Sequence, residues 1–453
     1  MRKIIFCITI FFAQGLAAQI TLTPFTPDIA FTQFAHSIDV YANEIVAFSS
    51  YSHDLTQSRV VVFERNGGIL SQETYFTPSD AALNDNFGGS VSINNDFIAA
   101  SSKFNDQVAV NAGAVYMYRK VAANWVFFQK IVAFDGAAGD NFGENVKVLG
   151  NQLFVSAVND EEAGLPTNSG AVYVYNFNGT GWVFSQKLSM PGTHLFGSKI
   201  KISNNKLAIS SEIAICIYDF DGTNWNLWHF GGFSPLTDFD LDNNQLFVLM
   251  DSIMYIYNLD TTTWYLTTGL TDLNYLDKYP TNFIVKNDLM FISLNFHSLL
   301  YTAKTPTAVY RKIGGHWTFL EYIYGNGPLN QDDSFGTKIA ISDDVVVIAA
   351  PNEYLPSSDG GRGYITDVAL GVNENNLANS NVYPNPTTGE LFLSENMLNN
   401  LNAVEIYQID GKLVSKMQPS QNLISLNNFQ SGLYLLKFIY NNNTYLTKKV
   451  IKN

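Results

Sequence analysis

The chain has 453 residues, a net charge of −14, two cysteines and 46% hydrophobic residues. That length and apolar content suffice for one large folded domain and one small one. The acid excess argues against nucleic acid or an anionic lipid surface as a partner.

Residues 1–18 read as a targeting segment. Arg2 and Lys3 precede the apolar run 4–12, and Leu16-Ala17-Ala18 offers small residues for cleavage. This is the pattern of a secretory signal peptide, which implies the Sec translocon as a partner. Its apolar run is too short to span a bilayer, and no later run is long enough, so no transmembrane segment is expected. The mature protein is read as soluble or peripherally attached. Cys7 falls in the leader and leaves Cys216 alone, which rules out an intramolecular disulfide. Cys216 lies in the apolar stretch 213–218, where a thiol packs as a small hydrophobe.

Residues 19–370 are dominated by a repeat of about fifty residues. Its clearest copy, 140–188, contains four short apolar runs joined by turns such as Gly150-Asn151-Gln152, the pattern of four antiparallel strands. An aromatic residue precedes Trp by seven positions at Tyr118/Trp125, Tyr175/Trp182, Tyr218/Trp225, Tyr257/Trp264 and Tyr310/Trp317, with Phe63/Leu70 as a weaker copy. A constant spacing means a hairpin of constant length, because one inserted residue would turn every later side chain to the other face. A second mark opens each unit: Phe87-Gly88, Phe142-Gly143, Phe196-Gly197 and Phe335-Gly336, with Phe34-Ala35 in the first. At these residues the chain resembles the FG-GAP repeats of integrin-α-type β-propellers. Unit starts at Phe34, Phe87, Phe142, Phe196, Pro235, Tyr279 and Phe335 make seven.

The expected fold class is therefore all-β: a seven-bladed β-propeller of four-stranded antiparallel blades, followed by a small C-terminal β-sandwich. Strands such as 114–118 are apolar on both faces, which suits blades packed face to face. The last unit lacks a Trp strand, and the segment Ile20-Thr21-Leu22-Thr23 precedes the first unit without a partner. The simplest repair has that segment complete the seventh blade and close the ring.

Residues 371–381 are polar and aperiodic, the composition of a linker. A new pattern then begins with Tyr383-Pro384-Asn385-Pro386 and Gly389. It continues through the hairpin at Asp410-Gly411-Lys412 and the strand opening at Gly432, and ends in Lys448-Lys449. In order, these motifs resemble the C-terminal sorting domain of the type IX secretion system of Bacteroidota. The resemblance implies that the type IX machinery is a partner and that residues 382–453 form the sorting domain. This region carries six Lys and four acidic residues, so residues 19–381 hold about −18.

Integrin-type repeats often carry a calcium loop, and oxygen ligands at alternate positions around a Gly turn suit a hard cation. The corresponding turns here, such as Asn94-Asn95-Asp96 and Asn204-Asn205-Lys206, are too short to wrap an ion. No cofactor or metal is therefore expected. Asp219-Phe220-Asp221-Gly222 looks like half a loop but aligns with the hairpin turn 176–179.

Carboxylates do gather before the Phe-Gly marks, at Asp85, Asp140, Asp332 and Asp333. The loops between second and third strands add Asp160 and Glu161, and later Glu353 and Arg362. All should face one side of the disc and are the candidate ligand contacts. The competing reading is that Asp beside Gly caps a turn. The six histidines, His36, His53, His194, His229, His297 and His316, show no metal-ligand spacing, and no nucleophile or phosphate motif is present. His36 and His194 stand at Phe-Gly marks, near the central channel.

The leading functional reading is a secreted or cell-surface binding protein that recognises a glycan or protein. A propeller-fold polysaccharide lyase or glycosidase, and a structural surface component, are the alternatives.

Overall fold

The computed structural model describes residues 20, 22–26, 34–42, 45–50, 58–66, 69–82, 84–122, 124–161, 168–259, 264–270, 278–296, 305–313, 315–327, 334–353, 361–368, 382–393, 398, 401–408, 412–418, 423–440 and 445–453. The chain forms two compact units, Thr21–Val368 and one that includes Ala369–Asn453.

Within Thr21–Val368 the described strands form seven four-stranded antiparallel sheets. The first six follow chain order, and each runs from an innermost to an outermost strand. They span Phe34–Tyr41 to Ile69–Phe76, Phe87–Ile93 to Asn124–Ile131 and Phe142–Leu149 to Trp182–Leu188. Lys199–Ser203 to Trp225–Gly232, Leu236–Asp242 to Trp264–Leu270 and Lys278–Lys286 to His316–Ile323 follow. The seventh is built from Ile339–Ile341, Val345–Ala350, Arg362–Asp367 and, as its outer strand, Thr23–Phe25. Each innermost strand lies against that of the next sheet, and the seventh lies against the first. The fold is a β-propeller.

The closing strand sits later than the expected Ile20-Thr21-Leu22-Thr23. Thr23, Pro24 and Phe25 pair with Ile365, Tyr364 and Gly363. Aromatic packing fixes this register: the Phe25 ring lies 5.2 Å from Phe63 and 6.3 Å from Phe34, both in the first blade. Pro24 fits because an outermost strand needs no second ladder of N–H donors.

The recurring motifs are the joints between blades. Trp182 of blade 3 packs edge-on against Phe97 of blade 2 at 5.0 Å, Trp225 against Phe154 at 5.5 Å and Trp317 against Phe247 at 6.0 Å. Each of these contacts joins a tryptophan to the second strand of the preceding blade. The Phe-Gly glycine reaches the same neighbour. Gly143 and Gly197 adopt positive φ (102° and 97°), and a Cβ there would stand 2.9 Å from Ser101 Cβ and 2.7 Å from Ser156 Cβ. Both backbone conformation and close approach therefore require glycine.

Every outer hairpin also carries a bulge at the aromatic residue of the Trp spacing. The register shifts between Met117/Tyr118, Val174/Tyr175, Ile217/Tyr218, Ile256/Tyr257 and Val309/Tyr310, and at Phe63/Glu64 in the first sheet. One extra residue reverses the facing of side chains beyond it. Trp182 therefore faces blade 2 while Gln186, four residues on, faces blade 4. There Gln186 donates to Trp225 O at 2.9 Å and accepts from Trp225 N at 2.9 Å. Cys216 is buried within the apolar core shared by blades 3 and 4, and burial pushes its thiol up to about 12.

In the second unit, Val382–Tyr383, Glu390–Leu393 and Leu423–Ser425 form one sheet. Leu401–Gln408, Leu413–Met417, Gly432–Tyr440 and Tyr445–Lys452 form the other. Leu391, Ile406, Ile424, Leu436 and Phe438 fill the core between them.

Candidate functional site

The innermost strands line the central channel, and their arrangement follows from an edge problem. An innermost strand has no further strand to take its outward N–H groups, and unpaired groups there are costly. Side chains of the preceding blade take them instead. Ser37 Oγ accepts from Val91 N at 3.1 Å and Asp39 Oδ2 from Ile93 N at 3.1 Å. Ser90 Oγ and Ser92 Oγ accept from Val146 N and Val148 N, each at 3.1 Å. Asp238 and Asp240 accept from Phe283 N at 3.0 Å and Val285 N at 2.7 Å. The aspartates are balanced across the channel: Lys147 meets Asp39 at 2.9 Å, Lys201 meets Asp240 at 2.9 Å, and Lys199 pairs with Asp238.

At the end of the channel where the Phe-Gly marks lie, a cavity of about 370 Å³ opens. His36, Lys103, Glu144, Asn145 and Lys338 line it, together with backbone and hydroxyls of neighbouring inner strands. Its walls come from the first, second, third, fourth and seventh blades. Lys103 and Glu144 pair across the wall at 2.8 Å. Lys338 is exposed and, among the described residues, has no carboxylate within ion-pair distance. Loss of solvent around the His36 ring, and then the positive charges of Lys338 and Lys103, hold its pKa below the ordinary histidine value. His194 does not line this cavity.

The candidate acidic residues are turned into the protein. Asp85 is 4% exposed and accepts from Asn105 Nδ2 at 2.8 Å and Ala82 N at 3.3 Å. Asp140, also 4% exposed, accepts from Ala137 N at 2.7 Å, and burial pushes its carboxyl up. Asp160 is 3% exposed, accepts a hydrogen bond from the Tyr173 hydroxyl at 2.5 Å and meets Lys187 at 3.0 Å. Glu353 is fully buried between the Tyr364 hydroxyl and Arg362, whose Nη1 lies 2.8 Å away. Turn capping and internal pairing account for these groups. Glu161 is exposed. Asp332 and Asp333 lie outside the described residues.

A shared local device explains the pairing. In blades 2 and 3 the third-strand tyrosine stands opposite a lysine of the outer strand, Tyr116 across from Lys130 and Tyr173 across from Lys187. Asp80 joins the first pair at 3.0 and 2.6 Å, and Asp135 the second at 2.7 and 2.8 Å. The short turns between first and second strands likewise use their own side chains. Asn94 Oδ1 accepts from Asp96 N and Phe97 N, and in the hairpin between third and fourth strands Asp221 Oδ1 accepts from Thr223 N and Asn224 N. Among the described residues no group of His, Cys, Asp and Glu is arranged to hold a metal.

The sorting motifs also acquire structural roles. Asn385 Oδ1 accepts from Ile451 N at 2.9 Å, and Thr387 exchanges backbone hydrogen bonds with Ile451 and Asn453. This pins the Pro384-Asn385-Pro386 segment to the last strand. Tyr383 stays exposed and stacks on Phe392 at 6.1 Å. Gly389 is pressed against Asn427, leaving no room for a Cβ. Gly432 and Lys448 lie on the two paired C-terminal strands, with Lys449 next to Lys448. Gly411 lies outside the described residues.

Two family models match the chain: the FG-GAP repeat at residues 70–118 and 125–175, and the secretion system C-terminal sorting domain at 381–453. The chain carries FG-GAP repeats and a C-terminal type IX sorting domain. That domain marks the FG-GAP protein for export by type IX secretion to the cell surface or extracellular space. No helix among the described residues is long and apolar enough to cross a membrane. A curated relative, ulvan lyase NLR42 of Nonlabens ulvanivorans, is 30% identical over 100 residues, covering 21% of this chain and 18% of that protein. The match thus spans under a fifth of that relative's length. A solved protein of Lactobacillus plantarum is similar with a TM-score of 0.47 at 12% identity, over 85% of this chain and 98% of that one. PorZ, a surface component of the type IX system of Porphyromonas gingivalis, is similar with a TM-score of 0.29 at 12% identity, over 91% and 73% of the two chains.

Proposed function

We propose that this exported propeller is a binding protein of the cell surface or surroundings, and that the cavity at its Phe-Gly face recognises a glycan. The carrying observation is that cavity, which gathers imidazole, ammonium, carboxylate, amide and hydroxyl groups from five blades at one mouth. Convergent polar groups in a recess of this size class suit a small polar ligand or one residue of a longer chain. The sugar hydroxyls of a glycan match such a mixed set of donors and acceptors. A protein ligand would need a broader apolar anchor at the same place.

A second reading is a polysaccharide lyase. The stretch shared with the ulvan lyase favours it, as does His36, where burial and then two nearby lysines disfavour the protonated form, leaving a ring suited to accept a proton. A glycan-array screen of the purified protein, followed by turnover assays on each polysaccharide it binds, separates the two. Binding without a new unsaturated product supports recognition alone. Product formation that disappears in His36→Ala would establish the lyase. An empty array would remove the glycan reading.

A further inference from the structure

The charge at the channel mouth runs against that of the chain. The protein carries −14 in total, yet the charged side chains lining the cavity are Lys103, Lys338 and a single carboxylate, Glu144, which Lys103 already neutralises. Lys338 is left exposed, without a carboxylate partner among the described residues. Lys338 and Lys103 also face His36, adding to burial in disfavouring its protonation.

The blade joints supply the second element. Ser37 and Ser90 each accept a backbone N–H of the next blade through Oγ. A hydroxyl has one proton and two lone pairs. With a lone pair committed to the neighbouring strand, the O–H of each serine remains to donate, and neither has an acceptor among the described residues. Both serines line the cavity. One ammonium, two hydroxyl donors and an imidazole therefore share one recess, which is a donor set for the oxygens of an anion.

Resting on the reading of this cavity as a glycan site, we propose that it seats an anionic group of a polysaccharide, a carboxylate or a sulfate ester. Lys338 is the charge partner, and Ser37, Ser90 and His36 are the hydrogen-bond donors. The groups facing His36 across the cavity are Lys338 from the seventh blade, Lys103 from the second and Glu144 from the third. Below them Asp39 and Lys147 are paired with each other. An anion placed here offsets the lysine repulsion that adds to burial in disfavouring protonation of His36, so binding favours uptake of a proton. Affinity is then greatest below the free-state pKa of His36 and falls as pH rises toward its bound-state value.

The test uses the full chain and three probes in biolayer interferometry: polygalacturonate, dextran sulfate and neutral dextran, each at pH 5.5 and 7.5. Both anionic polymers keep their charge over that range, so any pH dependence belongs to the protein. The expected result is binding of one or both polyanions, weakened by salt and stronger at the lower pH, with no binding of dextran. The tighter polyanion tells carboxylate from sulfate. Lys338→Ala should weaken binding about tenfold, as loss of a hydrogen bond to a charged group does. His36→Gln should flatten the pH dependence, while Lys120→Ala, on an outer hairpin, should bind as wild type. Thermal melting confirms that the exposed Lys338 variant is folded. Polyanion binding unchanged in both Lys338→Ala and His36→Gln would overturn the proposal. So would binding of neutral glycans alone, which would leave the glycan reading standing. Binding of no glycan at all would remove both.

Discussion

Gln129 and Trp182 hold blades 2 and 3 together by exchanging two hydrogen bonds: Gln129 Nε2 donates to Trp182 O at 3.0 Å, and Trp182 N donates to Gln129 Oε1 at 2.8 Å. The side-chain amide thus does at the rim what a further strand would do in a continuous sheet. Replacing Gln129 with Ala strands both a partly buried N–H and a carbonyl, a loss of about 1–3 kcal/mol. Urea unfolding of Gln129→Ala beside Gln129→Leu, which keeps the bulk, isolates the hydrogen bonds. Equal stability of the alanine variant and wild type would show that the clamp contributes nothing.

Trp182 itself is 3% exposed and packs against Phe97 and Phe177. Trp182→Ala should cost about 3–5 kcal/mol through the cavity it leaves. Glycan binding per folded molecule should be unchanged, because the ring lies in the blade interface. Loss of binding with an unchanged melting temperature would make Trp182 a ligand contact instead.

Gly143 and Gly179 separate two reasons for glycine. Both have positive φ, 102° and 95°, but a Cβ at Gly143 meets Ser101 Cβ at 2.9 Å, whereas at Gly179 nothing lies within 4 Å. Gly179→Ala should cost about 1–2 kcal/mol from backbone conformation alone. Gly143→Ala should cost clearly more, and Ser101→Gly should recover part of the excess. Chemical denaturation of the three variants decides it, and equal costs for the two glycines would refute the close-packed joint.

Spacing makes the propeller legible in the sequence. The aromatic-to-Trp interval and the Phe-Gly marks are blade-joint contacts, and a contact repeated around a ring leaves a period in the chain. The bulge at the same hairpin does not show in that period, because it changes which face Gln129 and Gln186 present without changing any interval. Asp85 and Asp140 looked like ligand contacts from their position alone, but their burial depends on donors such as Asn105 and Ala137 that only the folded turn supplies. Lys103, Glu144 and Lys338 converge from three blades, so single charges far apart in the chain gave no local pattern. His36 was noticed because it stands at a Phe-Gly mark. The closing strand lies later than the apolar Ile20 and Leu22 suggest, because the fit of Phe25 depends on Phe34 and Phe63.

Acid should weaken the Asp135–Lys187–Tyr173 contact of blade 3. Burial tends to raise the Asp135 carboxyl, but hydrogen bonds from Lys187 and Tyr173 outweigh it and leave the pKa below the ordinary aspartate value. A depressed carboxyl contributes stability that is present above its unfolded value of 3.8 and lost as pH falls through the folded one. Asp135→Asn should therefore flatten the fall in melting temperature on the acid side of that value. An unchanged acid profile would assign the fall to other carboxylates.

Ring closure should depend on Phe25. Deleting residues 19–25 exposes Arg362–Asp367 as a free edge, which should swap strands or aggregate. Phe25→Ala should lower the melting temperature while leaving a monomer. Size-exclusion chromatography and melting of both variants check this, and a deletion variant that stays monomeric with an unchanged melting temperature would show closure by another route.

The pairing of Thr23 with Ile365 also sets an order of events during synthesis. Thr23–Phe25 waits for a partner made about 340 residues later. The sorting domain, at 381–453, follows directly behind that partner. A chain cut short before its closing partner therefore also lacks its export address. The partner that completes the ring and the address for export are thus written into the same end of the polypeptide.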